Sequence, residues 1–209
     1  MRVLLGTTNP SKVKRFSDLL KGYDIEFITL RDIEVIEEPK EMGNTPEENA
    51  IMKAELYGQY FDVVICNDSG LYFEELDFED LRQPGLNIRT PMNMDRLSDE
   101  EMIDYYSKLI AGLGGKVTAY YLDGIAVYNH GVISSFMDNM AAQKNGSFYM
   151  IDKASSKRFE GWPLDSLSIN KENGKYFVDG SIEESKENII KDQYQKSVVD
   201  FLIKSLHIA

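Results

Sequence analysis

The sequence predicts an α/β fold: an elongated mixed β-sheet flanked by helices, arranged as two lobes. Three observations predict it. Short apolar runs alternate with helix-patterned stretches over residues 1–66, the order that builds a sheet with helical crossovers. Residues 117–143 read as paired strands around a tight turn at Asn129-His130-Gly131. The chain closes on an amphipathic helix over residues 189–206. With 209 residues, 43% apolar and 28% charged, it is long enough for one sizeable core, and a single domain over 1–209 is expected.

Each element has its own signal. Arg2 to Gly6 is an apolar run bounded by Thr, Asn and Pro, and reads as a buried strand. Asn9-Pro10-Ser11 opens a helix to about Leu20, with Val13, Phe16, Leu19 and Leu20 at helical spacing. Residues 25–30 are a second strand, and 31–44, with Pro39, Gly43 and several glutamates, a loop. Thr45-Pro46-Glu47-Glu48 combines an N-cap Thr, Pro at the first position and a capping-box Glu, starting a helix expected to reach about Tyr60. Asp62 to Cys66 is a buried strand ending in a turn at Asn67-Asp68-Ser69-Gly70. Residues 76–96 lack periodicity and read as an irregular loop, and Ser98 to Glu101 repeats the capping-box pattern before a helix ending near Gly112.

Composition narrows the function classes. A net charge of −12 argues against a protein that coats nucleic acid, whose affinity comes mainly from Lys and Arg on phosphates. It leaves room for a small phosphorylated ligand held by a few local cations and a divalent metal. Glu183, Glu184 and Glu187 read as a solvated face. There is no apolar run near 18 residues and no signal-peptide pattern at Met1 to Gly6, so no membrane is expected as partner. Cys66 is the only cysteine, which fits a reducing compartment, and a cytoplasmic location is expected. His130 and His207 are the only histidines, so a multi-histidine metal site is excluded.

Three segments carry unusual polar content. Thr7-Thr8-Asn9-Pro10-Ser11-Lys12 leads into a helix N-terminus, where free N–H groups accept an anion and Lys12 adds a charge that the dipole alone would not favour. In Glu41 to Ala54, residues Thr45, Asn49 and Lys53 are four apart and drift by only about 40° each, so they share a face. That face, with Glu41 before it, offers carboxylate, amide and ammonium to a metal–phosphate complex. Asp68 in Asn67-Asp68-Ser69-Gly70-Leu71 follows a strand, where ligands of α/β sheets gather. Taken singly, each segment is also compatible with an ordinary capped helix, an amphipathic face or a plain turn.

In this order TxNxxK, ExGxTxxxNAxxKA and DSGL, followed by Pro84-Gly85, resemble the Ham1-like inosine/xanthosine triphosphate pyrophosphatase family over residues 1–85. The resemblance implies an inosine triphosphatase-like fold with a central cleft. It also implies hydrolysis of non-canonical purine nucleoside triphosphates to monophosphate and pyrophosphate, Mg²⁺ as cofactor and a homodimer. By the same resemblance Asp68 and Lys12 are catalytic, and Thr8, Asn9, Asn49, Lys53, Ser69 and Gly70 bind substrate. Glu41, Asn67 and Asp68 would hold the metal. The sequence departs from the family at Asn67, where a second Asp is usual; an amide oxygen still ligates Mg²⁺, with one negative charge fewer. The family's Ser-His-Arg is not visible, with Lys191-Asp192-Gln193 near its place, and its Phe-Gly-Tyr-Asp-Pro appears as Phe159-Glu160-Gly161-Trp162-Pro163, where Trp162 is either a stacking surface for a base or a core or interface aromatic. A nucleotide-binding or regulatory homologue with lost or altered turnover is the alternative.

Overall fold

A computed structural model describes residues 1–34, 37, 39–180 and 189–208, without the side chains of 141, 142, 145 and 189–193. It shows an α/β fold with a mixed sheet. Seven strands follow the hydrogen-bonding order β2-β1-β3-β4-β6-β7, with β5 on β4. The chain divides into two compact units, residues 1–69, 123–138 and 190–209 in one and 70–122 and 139–189 in the other.

In the first unit β1 (Arg2–Leu5) lies parallel to β2 (Glu26–Thr29), with Leu4 opposite Ile28. It is also parallel to β3 (Val63–Phe73), with Leu5 opposite Ile65. Alternation along these strands sorts the core into two faces. Val3, Leu5, Val63 and Ile65 face α1 (Pro10–Leu19), through Phe16, and α5 (Ile189–Leu206), through Val198, Leu202 and Leu206. Leu4, Val64 and Cys66 face α2 (Pro46–Tyr57), whose Ala50 and Ala54 let the helix lie close. The hairpin of β4 (Lys116–Asn129) and β5 (Val132–Met137) turns at His130 and Gly131, both at positive φ, as a two-residue turn matched to strand twist requires.

Helix starts follow their sequence signals. Asn9 caps α1 by accepting from the Ser11 amide at 2.9 Å, and Thr45 caps α2 by accepting from the Glu48 amide at 3.1 Å. Glu48 closes its end differently from a capping box: its carboxylate takes the Asn44 amide, at 2.7 Å, rather than that of Thr45. In addition α2 ends at Tyr57, short of Tyr60.

In the second unit the first part of β4 pairs antiparallel with β6 (Phe148–Ile151), and β6 with β7 (Ser168–Ile169). Helix α3 (Asp99–Gly112), with both halves of its Ser98/Glu101 capping box formed, buries Met102, Ile103, Tyr106 and Ile110 against Phe73, Val117 and Met150. The irregular segment 76–96 is anchored where the Tyr106 hydroxyl donates to the Ile88 carbonyl at 2.9 Å.

Two further readings need correction. The Asn67–Gly70 segment is no turn: β3 runs through it, buried almost throughout, because Leu71 to Phe73 extend the apolar run beyond the polar interruption. Residues 140–143, expected within the hairpin region, begin the helix α4 (Met140–Asn145). The short strands β6 and β7 carry too few residues for a periodic signal. Glu183, Glu184 and Glu187 lie outside the described residues. No helix among those described is long and apolar enough to cross a membrane.

Candidate functional site

The polar residues of β3 obey the same alternation as its core. Asp68 falls on the α2 face with Cys66, while Asn67 and Ser69 fall on the α1/α5 face with Ile65. Both lie in the first unit.

On the α2 face Asp68 is 8% exposed, and its two oxygens accept from Asn49 Nδ2 at 2.9 Å and Lys53 Nζ at 3.2 Å. Lys53 also pairs with Glu41 at 2.8 Å. Burial alone would lower the Lys53 pKa, but the charges of Asp68 and Glu41 outweigh it and raise the value above the ordinary one. Asn49 is oriented from behind, since its Oδ1 accepts from the Gly43 amide at 2.8 Å. Gly43 permits this approach: a Cβ there would stand 2.8 Å from that same oxygen and 2.7 Å from Glu48 Cβ. The structure therefore brings Glu41, Asn49, Lys53 and Asp68 together: the four-residue spacing predicts the shared face of Asn49 and Lys53 with Glu41 before it, and β3 adds Asp68. Asn49 contacts the carboxylate and the loop backbone, which makes it a support for Asp68 as much as a ligand.

Lys12 stands in the first turn of α1 and, among the described residues, makes no hydrogen bond or ion pair. Burial, then repulsion from Lys53, lowers its pKa, while Asp68 and Asp123 partly offset this. An ammonium without a direct partner beside two carboxylates is suited to an arriving anion. Asn9 is committed as the α1 cap, and Thr8 is exposed beside it, lining a groove with Thr7, Thr29 and Arg31. Cys66 offers no chemistry: burial pushes its thiol up to about 12.

The α1/α5 face holds a cluster that the spacing of residues did not reveal. Arg15 Nη1 pairs with Asp123 Oδ2 at 2.5 Å, and Arg15 Nη2 donates to the Tyr194 hydroxyl at 2.8 Å. Ser69 Oγ donates to Asp123 Oδ1 at 2.5 Å. The Asp123 amide donates to Asp138 Oδ2 at 2.7 Å. Burial would raise the Asp123 carboxyl, but Arg15, Ser69 and Lys12 outweigh it and hold the value low. The signal available in sequence was an Asp interrupting the apolar run of β4 between Leu122 and Ile125.

Two atoms in this region are buried without a hydrogen-bond partner: Asn67 Oδ1 and Asp138 Oδ1. Gly70 and Trp162 belong to the second unit. A Cβ at Gly70 would stand 2.7 Å from the Tyr72 ring, so the glycine serves local packing. Trp162 is half-buried ahead of a 3-10 turn over Pro163–Ser166. The side chains of Lys191, Asp192 and Gln193 lie outside those described.

With this geometry in hand, comparison with known proteins identifies the family. The family model of Ham1 matches residues 3–143, more than half of the chain. The chain belongs to the Ham1 family. A dITP/XTP pyrophosphatase from Thermoanaerobacter pseudethanolicus is 37% identical over 87 residues, 41% of this chain and 42% of that protein. One from Bacillus anthracis is 43% identical over 77 residues, 36% of this chain and 38% of that protein. The matched part thus spans about two fifths of the length of these curated relatives. Among solved structures, a Ham1 protein from Staphylococcus aureus aligns with TM-score 0.70 at 22% identity, covering 97% of this chain and 98% of that one. A HAM1 protein from Coxiella burnetii aligns with TM-score 0.72 at 18% identity, covering 98% and 99%. These two likenesses establish a Ham1 fold.

Proposed function

We propose that this Ham1 member is a Mg²⁺-dependent nucleoside triphosphate pyrophosphatase, cleaving non-canonical purine triphosphates to monophosphate and pyrophosphate. The observation that carries the reading is the cluster around Asp68: a buried carboxylate held by Asn49 and Lys53, with Glu41 on the same ammonium and Lys12 nearby without a direct partner. The relatives named dITP/XTP pyrophosphatase support it.

On the α2 face the carboxylates of Glu41 and Asp68 offer the oxygen that a hard divalent cation prefers, and the resemblance adds Asn67, whose unpartnered Oδ1 lies on the other side of β3. Among the described residues no group of three or more His, Cys, Asp or Glu could hold a metal, so substrate phosphates would have to complete the set. When bound, the metal would lower the pKa of water and offset phosphate charge. In this reading Lys12 and Lys53 hold the phosphate chain, with the α1 N-terminus behind Thr8 and Asn9 adding its dipole. Ser69 and Gly70 complete the substrate contacts along β3. Asp68 takes the proton of the water attacking the α-phosphorus. Trp162 stacks on the base, and the family's homodimer is part of the same reading.

A pyrophosphate-release screen with Mg²⁺ across ITP, XTP, dUTP and the common triphosphates tests the reaction. Pyrophosphate is the expected product; orthophosphate released first removes the reaction class, and binding without turnover favours the regulatory homologue. Asp68→Asn is expected to cost about 10²–10⁴-fold in rate, the range for a lost general base. Glu41→Gln is expected to raise the Mg²⁺ needed for half-maximal rate more than it lowers the saturated rate, and an unmoved titration takes Glu41 out of the metal site. Trp162→Ala is expected to raise KM for several triphosphates together, since a stacking surface reads every base about equally.

A further inference from the structure

The cluster on the α1/α5 face bears on Asn67 through one hydroxyl proton. Ser69 has a single proton to give and gives it to Asp123 Oδ1 at 2.5 Å. Asp123 remains an acceptor because Arg15 Nη1 holds its other oxygen at 2.5 Å, with the Tyr194 hydroxyl at 3.3 Å from the same atom. Ser69 Oγ therefore presents only lone pairs to its remaining neighbour. That neighbour is Asn67 Nδ2, 3.5 Å away and oriented to donate. The amide's other end, Oδ1, is the buried oxygen without a hydrogen-bond partner.

We propose that Asp123 is a positioning residue acting through Ser69: the chain Asn67→Ser69→Asp123 fixes which end of the Asn67 amide is left free, and positions 67 and 123 form an exchangeable amide–carboxylate pair. Only its metal-affinity consequence rests on the proposed function; the coupling itself is a property of the fold.

Proton supply sets the coupling. A carboxylate at 67 in the presence of Asp123 would leave two acceptors competing for one Ser69 proton, and the loser is a buried oxygen stripped of its donor. Amides at both positions would leave the half-buried Arg15 guanidinium without its carboxylate. Exchanging both reverses the Ser69 relay, although Arg15 still faces a neutral amide oxygen. The amide at 123 donates to Ser69 Oγ and accepts from Arg15, while Ser69 donates to the carboxylate at 67. This explains how the fold accommodates an amide at 67. It also means that placing a charge at 67 alone does not improve the site.

The test is a double-mutant cycle on the metal-free protein in EDTA, with wild type, N67D, D123N and N67D/D123N followed by thermal unfolding. Each single change is expected to lower Tm by about 4–8 °C. The double variant is expected to lose at least about 4 °C less than the two losses added together. Strictly additive losses overturn the proposal. Direct titration with Mn²⁺ gives the second readout: N67D binds no tighter than wild type, and N67D/D123N binds about tenfold tighter, because a carboxylate then faces the ion. N67D alone binding tenfold tighter with an undiminished Tm also overturns it. Coupled melting with Mn²⁺ affinity identical in all four proteins supports the pair and removes the metal reading instead. If D123N does not fold, the Asn67 side-chain amide resonances of Ser69→Ala decide: they shift if the chain exists, and unmoved resonances overturn it.

Discussion

Asp138 shows how a residue next to the site sets a pH dependence for the whole fold. Its Oδ2 accepts from the Asp123 amide, but Oδ1 is buried without a hydrogen-bond partner, and Asp123 adds a like charge nearby. Burial first and that charge second push its carboxyl up to about 6, against the pull of the backbone amide, the Tyr194 hydroxyl and Arg15. A folded-state pKa above the unfolded one means that the fold binds the proton more tightly. Stability from this group is therefore full below about pH 4, falls as pH rises toward 6 and is lost above it. Asp165, raised by burial to about 7, slopes the same way over a wider window. Asp138→Asn is expected to add about 1–2 kcal/mol at pH 7.5 and to flatten the slope between pH 4 and 6. Urea unfolding across that range measures both, and an unchanged slope would falsify the assignment. The Arg15–Asp123–Tyr194 cluster was invisible in sequence because its members come from positions far apart. Spacing reports neighbours on one helix, not partners brought together by strand pairing.

Among the elements, α2 matters most, because it carries Asn49 and Lys53 to Asp68, and its seat depends on one glycine. A Cβ at Gly124 would stand 2.1 Å from the Glu47 amide nitrogen and 2.3 Å from the Pro46 carbonyl carbon, both backbone atoms that cannot swing aside. Gly124→Ala is expected to lower Tm by about 6–12 °C, the effect of a strongly overpacked contact. It should also depress turnover by moving the α2 start; a melting point within a degree of wild type would show that β4 and α2 separate cheaply. The element itself was legible: Thr45, Pro46 and the 49/53 spacing announce its start and its working face. So were α1, α3 and the 130–131 turn, where caps and turn residues act locally. The continuation of β3 was not, because Asp-Ser-Gly is common turn chemistry and only pairing with neighbouring strands keeps it extended.

For the molecule as a whole, 35 acidic residues against 23 basic ones surround a site meant, in the proposed reading, for a polyanion. The exposed excess repels such a ligand over roughly a Debye length, about 8 Å at physiological salt. Lys53, at 8% exposure, is screened far less by salt than those surface carboxylates. Raising KCl from about 0.02 to 0.15 M at fixed free Mg²⁺ is therefore expected to raise kcat/KM modestly, the opposite of a protein that gathers substrate by a basic surface. A steep fall over that range would mean that exposed cations dominate capture. Composition made this much readable from the outset, and Lys12 and Lys53 stood out as local cations, while the hydrogen bond from Lys53 to Asp68 became visible only in the fold.

The phase of β3 has a genetic consequence. Asp68 and Ser69 serve opposite sides of one strand, so the number of residues between the β1 pairing at Ile65 and Asp68 matters through its parity. Losing or gaining one codon there would turn the carboxylate toward Arg15 and the hydroxyl toward Lys53, exchanging the surroundings of both at once, whereas a two-codon change preserves the assignment of sides. Length variation along this strand is thereby confined to even steps.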